Sequence, residues 1–267
     1  MIELFKKTYS MYNFKPFYII LILSFSFTSF NINAQRNQID SQGRKQGEWV
    51  KFYENSSVVR YKGQFKDDEP IGKFVYYYPS NSVRTIMIHD KGSNRTEAFF
   101  YHENEELIAH GIYRDKKKDS VWTHFLPTGH YSYTETYRND KLNGKRITFY
   151  GPEVTDTKTK IVLREANYKN GRLNGPYMSY FPDGVKKEKG QYKNGVRDGV
   201  IEKYHPNGKI MIKERWKNRT KHGWWKTYDE SGKELGRKYY YKGESLEGKK
   251  LEEHLQDLKS RGVNPNQ

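Results

Sequence analysis

The chain has no cysteine among its 267 residues. Disulfides, thiol nucleophiles and thiolate metal sites are excluded with it, and an oxidising compartment finds no thiol to damage. Hydrophobic residues make up only 34% of the sequence, a modest share for a chain that must bury a core. Nucleophile elbows, phosphate-binding loops, dinucleotide fingerprints and His-Glu-x-x-His zinc motifs are all missing. The eight histidines are scattered; His102 and His110 could face each other across one hairpin, but read as ordinary surface and ladder residues. Glu103, Glu105 and Glu106 fall in a turn and read as solubilising charge. The expectation is a protein that is not an enzyme, with no catalytic residue, cofactor or metal.

Long apolar runs are also lacking, with one exception at the front. Residues 16–30 (PFYIILILSFSFTSF) follow Lys6, Lys7 and Lys15 and lead to Ala34-Gln35. A basic start, a short apolar core and a small residue form a secretory signal peptide over residues 1–34, cut before Gln35. The run is short of the ~20 residues of a spanning helix, although an uncleaved anchor stays open as the alternative. Met11 is a second possible start. Cleavage would leave 45 Lys+Arg against 31 Asp+Glu and no transmembrane span. Such a basic, exported chain points to a protein partner or an anionic envelope surface, and export argues against nucleic acid. The expected location is the periplasm, the outer membrane or the outside of the cell, and the expected state is a monomer.

What the chain has in abundance is repetition. Tyr168-Lys-Asn-Gly returns as Tyr192-Lys-Asn-Gly and as Trp216-Lys-Asn-Arg, 24 residues apart each time. A first aromatic series runs Phe52, Tyr77, Tyr101, Phe125, Phe149, Tyr180, Tyr204, Tyr228; a second runs Phe65, His89, Tyr113, Tyr137, Tyr168, Tyr192, Trp216, Tyr240. Both step by 24 or 25 except for one shared step of 31, which marks an insertion of 7 between Phe149 and Tyr168. A fixed period of this size is the mark of a repeat architecture. Within a unit, an aromatic stretch, a Pro-Asp-Gly turn, a second stretch and a Lys-Asn-Gly turn make a β-hairpin. Eight hairpins give about sixteen strands, and because a lone hairpin is marginal in water the units must stack. The first series is expected to form the structural ladder that replaces a globular core. Gly47, Gly72, Gly144, Gly175, Gly199 and Gly223, five residues before it, are expected to relieve tight turns between units. Thr96 and Ser120 stand where two more such glycines belong.

The recurring Gly-x-(Trp/Phe/Tyr)-x-x-(Tyr/Phe)-x-x-x-Gly unit, clearest at Gly223–Tyr228 with Gly232 and at Gly175–Tyr180 with Gly184, resembles the MORN-repeat-variant family, which includes antitoxin-like proteins of toxin–antitoxin systems. The resemblance spans residues 42–243. It implies an all-β fold, an elongated single-sheet solenoid of consecutive hairpins used for scaffolding or binding, with no established catalytic residues. It also implies an alternative role, neutralising a toxin outside the cytoplasm. The domains are then residues 1–34 as signal peptide, 35–243 as repeats and 244–267 as a capping helix and tail, with Leu251, Leu255 and Leu258 on one helical face.

One candidate binding feature emerges. The residue after the second series is basic in six of eight units: Lys66, Arg114, Arg138, Lys169, Lys193 and Lys217. Strand neighbours point to opposite faces, so an inward series makes an outward basic row for an anion or partner. A solvated face that protects sheet edges is the plainer alternative, and the Asn or Asp that follows each basic residue fits turn chemistry as well as ligand contact. The insertion, residues 151–162, is the other place where a solenoid binds.

Overall fold

The computed structural model describes residues 35–155 and 159–266. The signal peptide expected at 1–34 lies outside the described residues, as do 156–158 of the insertion. Residues 38–246 form one antiparallel sheet of 20 strands built of consecutive hairpins. The sheet is open, not closed into a barrel. Sixteen strands are those of the eight hairpins; the rest are Gln38–Ile39 and Glu244–Leu246 at the ends, and two strands split at Asp198 and His222.

Two turn types alternate, each dictated by its residues. At Asn170-Gly171 and Asn194-Gly195 both central residues have positive φ (50° and 79°, 51° and 86°). That is the type I′ turn, whose twist matches a two-residue hairpin and which favours Asn or Asp followed by Gly. Asp67, Asp115, Asn139 and Asn218 have the same φ, between 49° and 52°. The Asn or Asp after each basic residue is therefore explained by backbone geometry. At the other end of the hairpins, Gly184 N donates to Phe181 O at 2.9 Å and Phe181 N to Val185 O at 2.8 Å, with Gly184 at φ 85°. A turn closed by a left-handed residue inserts a bulge, and the register shifts between Ser179 and Tyr180.

The recurrent glycines do not sit in turns. Gly72, Gly144 and Gly175 lie inside strands, with φ of 63°, 136° and 114°, beside register shifts against the preceding hairpin. The turn ends before them, so the expectation of turn relief is corrected: they are bulge positions. Ser120 takes the same conformation at φ 60°. Thr96 does not, and its strand pairs with the preceding one without a shift. Beyond each bulge a large side chain swings over the preceding strand. Phe74 lies over Gly63, Trp122 over Gly111 and Ile201 over Gly190, so closely that a methyl group on any of these glycines would overlap it.

That column is the core. Phe74 and Trp122 are 1% exposed, Ala98 and Ile201 0%, and all four stand three residues before the first aromatic series. The second series packs beside them, with ring centroids 5.1 Å apart for Phe65–Phe74 and 5.0 Å for Tyr113–Trp122. Of the first series only Phe149 is buried, while Phe52 is 46% exposed. These aromatics end their strands on the opposite face. Beside them, side chains one residue on stitch neighbouring hairpins: Tyr53 Oη donates to Tyr77 O at 2.6 Å, and Tyr150 Oη to Tyr180 O at 2.8 Å. At the tight turns Gly171 N and Gly195 N do the same to Leu142 O and Leu173 O, at 2.8 and 2.7 Å.

The helix Gly248–Ser260 docks on the last hairpin, burying Leu258 and leaving Tyr239 1% exposed. Tyr239 Oη donates to Pro265 O at 3.0 Å, and the His254 ring lies 4.4 Å from Tyr241. This is the covering of a terminal repeat that a stack requires. No helix of the described residues is long and apolar enough to cross a membrane.

Candidate functional site

The six basic residues singled out by sequence each end a strand, immediately before a tight turn, and all six are exposed. They therefore share one margin of the sheet. In the middle units the pairing residue across the turn is basic too: Lys117 opposite Arg114, Lys141 opposite Arg138 and Arg172 opposite Lys169. Several acids at this margin are held by neighbouring backbone and side chains. Asp68 Oδ1 accepts from Lys45 N at 2.9 Å, Asp140 Oδ1 from Lys118 N at 2.6 Å, and Asp67 pairs with Arg44 at 2.9 Å. Arg114 meets Asp119 at 3.3 Å, whereas Arg138, Lys169, Lys193 and Lys217 make no ion pair among the described residues. Four consecutive turns thus present cations without an ion pair.

Behind the turns, on the core face, lies a second set of cations that the sequence reading missed. Lys45 Nζ sits 5.1 Å from the Trp49 ring and 4.8 Å from Phe65. Lys118 sits 4.4 Å from Trp122 and 5.1 Å from Tyr137, and Lys221 sits 4.6 Å from Trp225 and 4.8 Å from Tyr240. Lys-x-x-x-Trp recurs at these three places, and the same two columns hold other residue pairs in the remaining units. A lysine four residues before a tryptophan, in register with the repeat, was the available signal. Its stem covers the ring and its charge faces the ring's electron-rich face.

Two buried carboxylates interrupt the small-residue column. Glu135 is 7% exposed and meets Arg146 at 3.2 Å, His124 at 3.9 Å and Tyr137 Oη at 2.7 Å. Burial first, then the Glu135 contact, pushes the Tyr137 hydroxyl well above its ordinary pKa. Burial lowers the His124 pKa against the pull of Glu135. Glu214, 5% exposed, takes Lys203 at 3.1 Å, Arg197 at 3.4 Å and Trp216 Nε1 at 3.1 Å. Burial opposes the Arg197 charge, yet Tyr192, Glu188 and Glu214 hold its pKa above the usual value. Both carboxylates are saturated by cations and hydroxyl or indole donors, which makes them structural counter-charges. Among the described residues no three His, Asp or Glu side chains are grouped to hold a metal.

His110 stacks on Phe99 at 5.3 Å, and His102 closes a turn through its backbone to Glu106. The insertion opens after the Phe149–Val162 pair, and Lys160 returns to lie 4.2 Å from the Tyr131 ring. No curated protein matches the chain. The family model for the MORN repeat variant matches residues 173–194 and 197–218, two successive hairpins in the register described above.

Proposed function

We propose that the chain is a non-enzymatic, exported repeat scaffold that binds an extended anionic surface, a membrane or an acidic glycan, along its turn margin. The observation that carries this reading is the run of four exposed, unpaired cations at consecutive turns, Arg138, Lys169, Lys193 and Lys217. Equivalent residues two strands apart recur every ~10 Å, so the charges form a row that can follow a repeating anion. Each exposed contact is weak, because physiological salt screens beyond ~8 Å. Affinity then grows with number, roughly 1 kcal/mol per Lys or Arg near an anionic membrane.

Replacing those four residues by Gln should abolish co-sedimentation with phosphatidylserine vesicles or retention on an acidic polysaccharide, with an unchanged melting temperature. If the wild type binds neither at low salt, the row is a solubilising face. A protein partner, the toxin of the family resemblance included, then becomes the reading, with the insertion as its contact. The export half of the proposal rests on the front segment and is tested by mass spectrometry of the native protein. A mature N-terminus at Gln35 supports it; retained residues 1–34 show an anchor.

A further inference from the structure

The last hairpin carries a hollow where one row of side chains on its core face gives out. One row of the core face runs through equivalent second-strand positions Tyr61, Thr85, Ala109, Tyr133, Arg164, Glu188 and Ile212, and ends at Gly236. Every earlier member has a side chain; the last has none. A cavity of about 380 Å³ results, lined by Ile212, Trp225, Thr227, Gly236, Lys238 and Tyr240. That volume is within the ordinary range of small-ligand sites, and an aromatic wall with few polar groups is their usual composition.

The walls are held in place. Trp225 Nε1 donates to Arg215 O at 2.9 Å, and its ring lies 5.2 Å from Trp216 and 5.1 Å from Tyr240. The Trp225 and Tyr240 rings meet at 56°, a wedge and not the parallel slot into which a planar base would slide. A puckered ring with polarised C–H groups fits such a wedge, since aromatic faces are electron-rich. Thr227 Oγ1 donates to Gly236 O at 3.3 Å and leaves its lone pairs to accept from a ligand hydroxyl. Lys226 and Arg237 complete the lining and share Glu234 at 2.7 and 3.8 Å, while the Lys238 side chain, 65% exposed on the rim, is held only by a 3.9 Å contact to the equally exposed Glu247, three cations against two acids. A net positive rim selects an anionic form of that ring.

We propose that this cavity binds one residue of an acidic saccharide, its ring against Trp225 and Tyr240 and its carboxylate toward Lys238. The site lies on the core face and does not depend on the turn-margin row, so the Gln variant of that row should retain it. Calorimetric titration with trigalacturonate tests it, with neutral cellotriose and inorganic phosphate as controls. Saturable binding of the uronate is expected, at least about tenfold tighter than cellotriose, with none for phosphate. Gly236 has ordinary backbone angles, and a Cβ there would meet only Thr227 Oγ1 at 3.8 Å. Gly236→Leu should therefore fill the cavity, keep the melting temperature and abolish binding. Lys238→Gln should weaken the uronate about threefold and leave cellotriose unchanged, as loss of one exposed charge pair implies. Absence of uronate binding to the wild type, equal affinity for the neutral sugar, or binding that survives Gly236→Leu overturns the proposal.

Discussion

At the scale of single residues, burial decides which aromatics hold the sheet. Trp122 is 1% exposed, so Trp122→Ala should cost about 3–5 kcal/mol, whereas Phe52→Ala, at 46% exposed, should cost about 0.5. Chemical denaturation of the two variants measures the difference, and equal losses would return the core to the first series. Gly111→Val is the complementary change, because its side chain would displace the Trp122 ring; a loss of about 1–3 kcal/mol is expected. Two histidines add a pH dependence. Burial lowers the pKa of His89 and His124 from the ordinary 6.5. The unfolded chain then binds more protons than the folded one below that value, so stability is present above about 6.5 and is lost as pH falls through it. His124→Gln should flatten the fall in melting temperature between neutral and mildly acid pH. A steeper fall in the variant would contradict the assignment.

At the scale of elements, the turns give the sharpest contrast. Asn218-Arg219 adopts the same left-handed pair of angles as Asn194-Gly195, with Arg219 at φ 70° where its neighbour has glycine. A side chain there costs roughly 1 kcal/mol, so Arg219→Gly should stabilise and Gly195→Ala should destabilise by about that amount. Opposite shifts in two thermal melts check it; shifts of the same sign would rule out the turn assignment. The turns also show how far the sequence could be read. Period, hairpin order and both turn types were legible because each rests on local residue chemistry: Asn-Gly, Pro-Asp-Gly and an aromatic every 24 residues. The choice of core column was not. Bulges at Gly72, Gly144 and Gly175, and again at each looser turn, break the period-two count that assigns faces. The core column itself is chemically uneven, with Trp122, Arg146, Tyr177 and Ile201 in successive units, so its recurring tryptophans, Trp49, Trp122 and Trp225, mark only three of eight units. The recurrence of the basic residues was legible and was read as an outward row on the sheet face; the structure puts the six at strand ends, along the turn margin. The lysine–tryptophan pairs needed the two columns to be placed side by side. The cavity at Gly236 needed the absence of a side chain to be noticed, which sequence patterns do not show.

At the scale of the whole molecule, burial acts on tyrosine hydroxyls in several units. Burial raises the pKa of Tyr76, Tyr113, Tyr133 and Tyr177 from 10.0, and Tyr204, partly buried and donating to Glu202, is pushed up to about 12. Above pH 10 the unfolded chain loses these protons first, so stability is full below that value and is lost as pH rises through 10 to about 12. Repeat stacks are sums of nearest-neighbour interfaces, and the loss should spread across all units. The melting temperature followed by circular dichroism should fall as pH rises from 10 to about 12; a melting temperature flat across that window would contradict it.

The same stacking places the cations of the turn margin in a row, and the most direct test of its role is the salt dependence of binding. Dissociation constants for phosphatidylserine vesicles or an acidic polysaccharide should weaken steeply between low and physiological salt for the wild type. The slope should be much shallower once Arg138, Lys169, Lys193 and Lys217 are replaced by Gln, because fewer screened contacts remain. Binding whose salt dependence is the same in wild type and variant would contradict a margin that works by its row of charges.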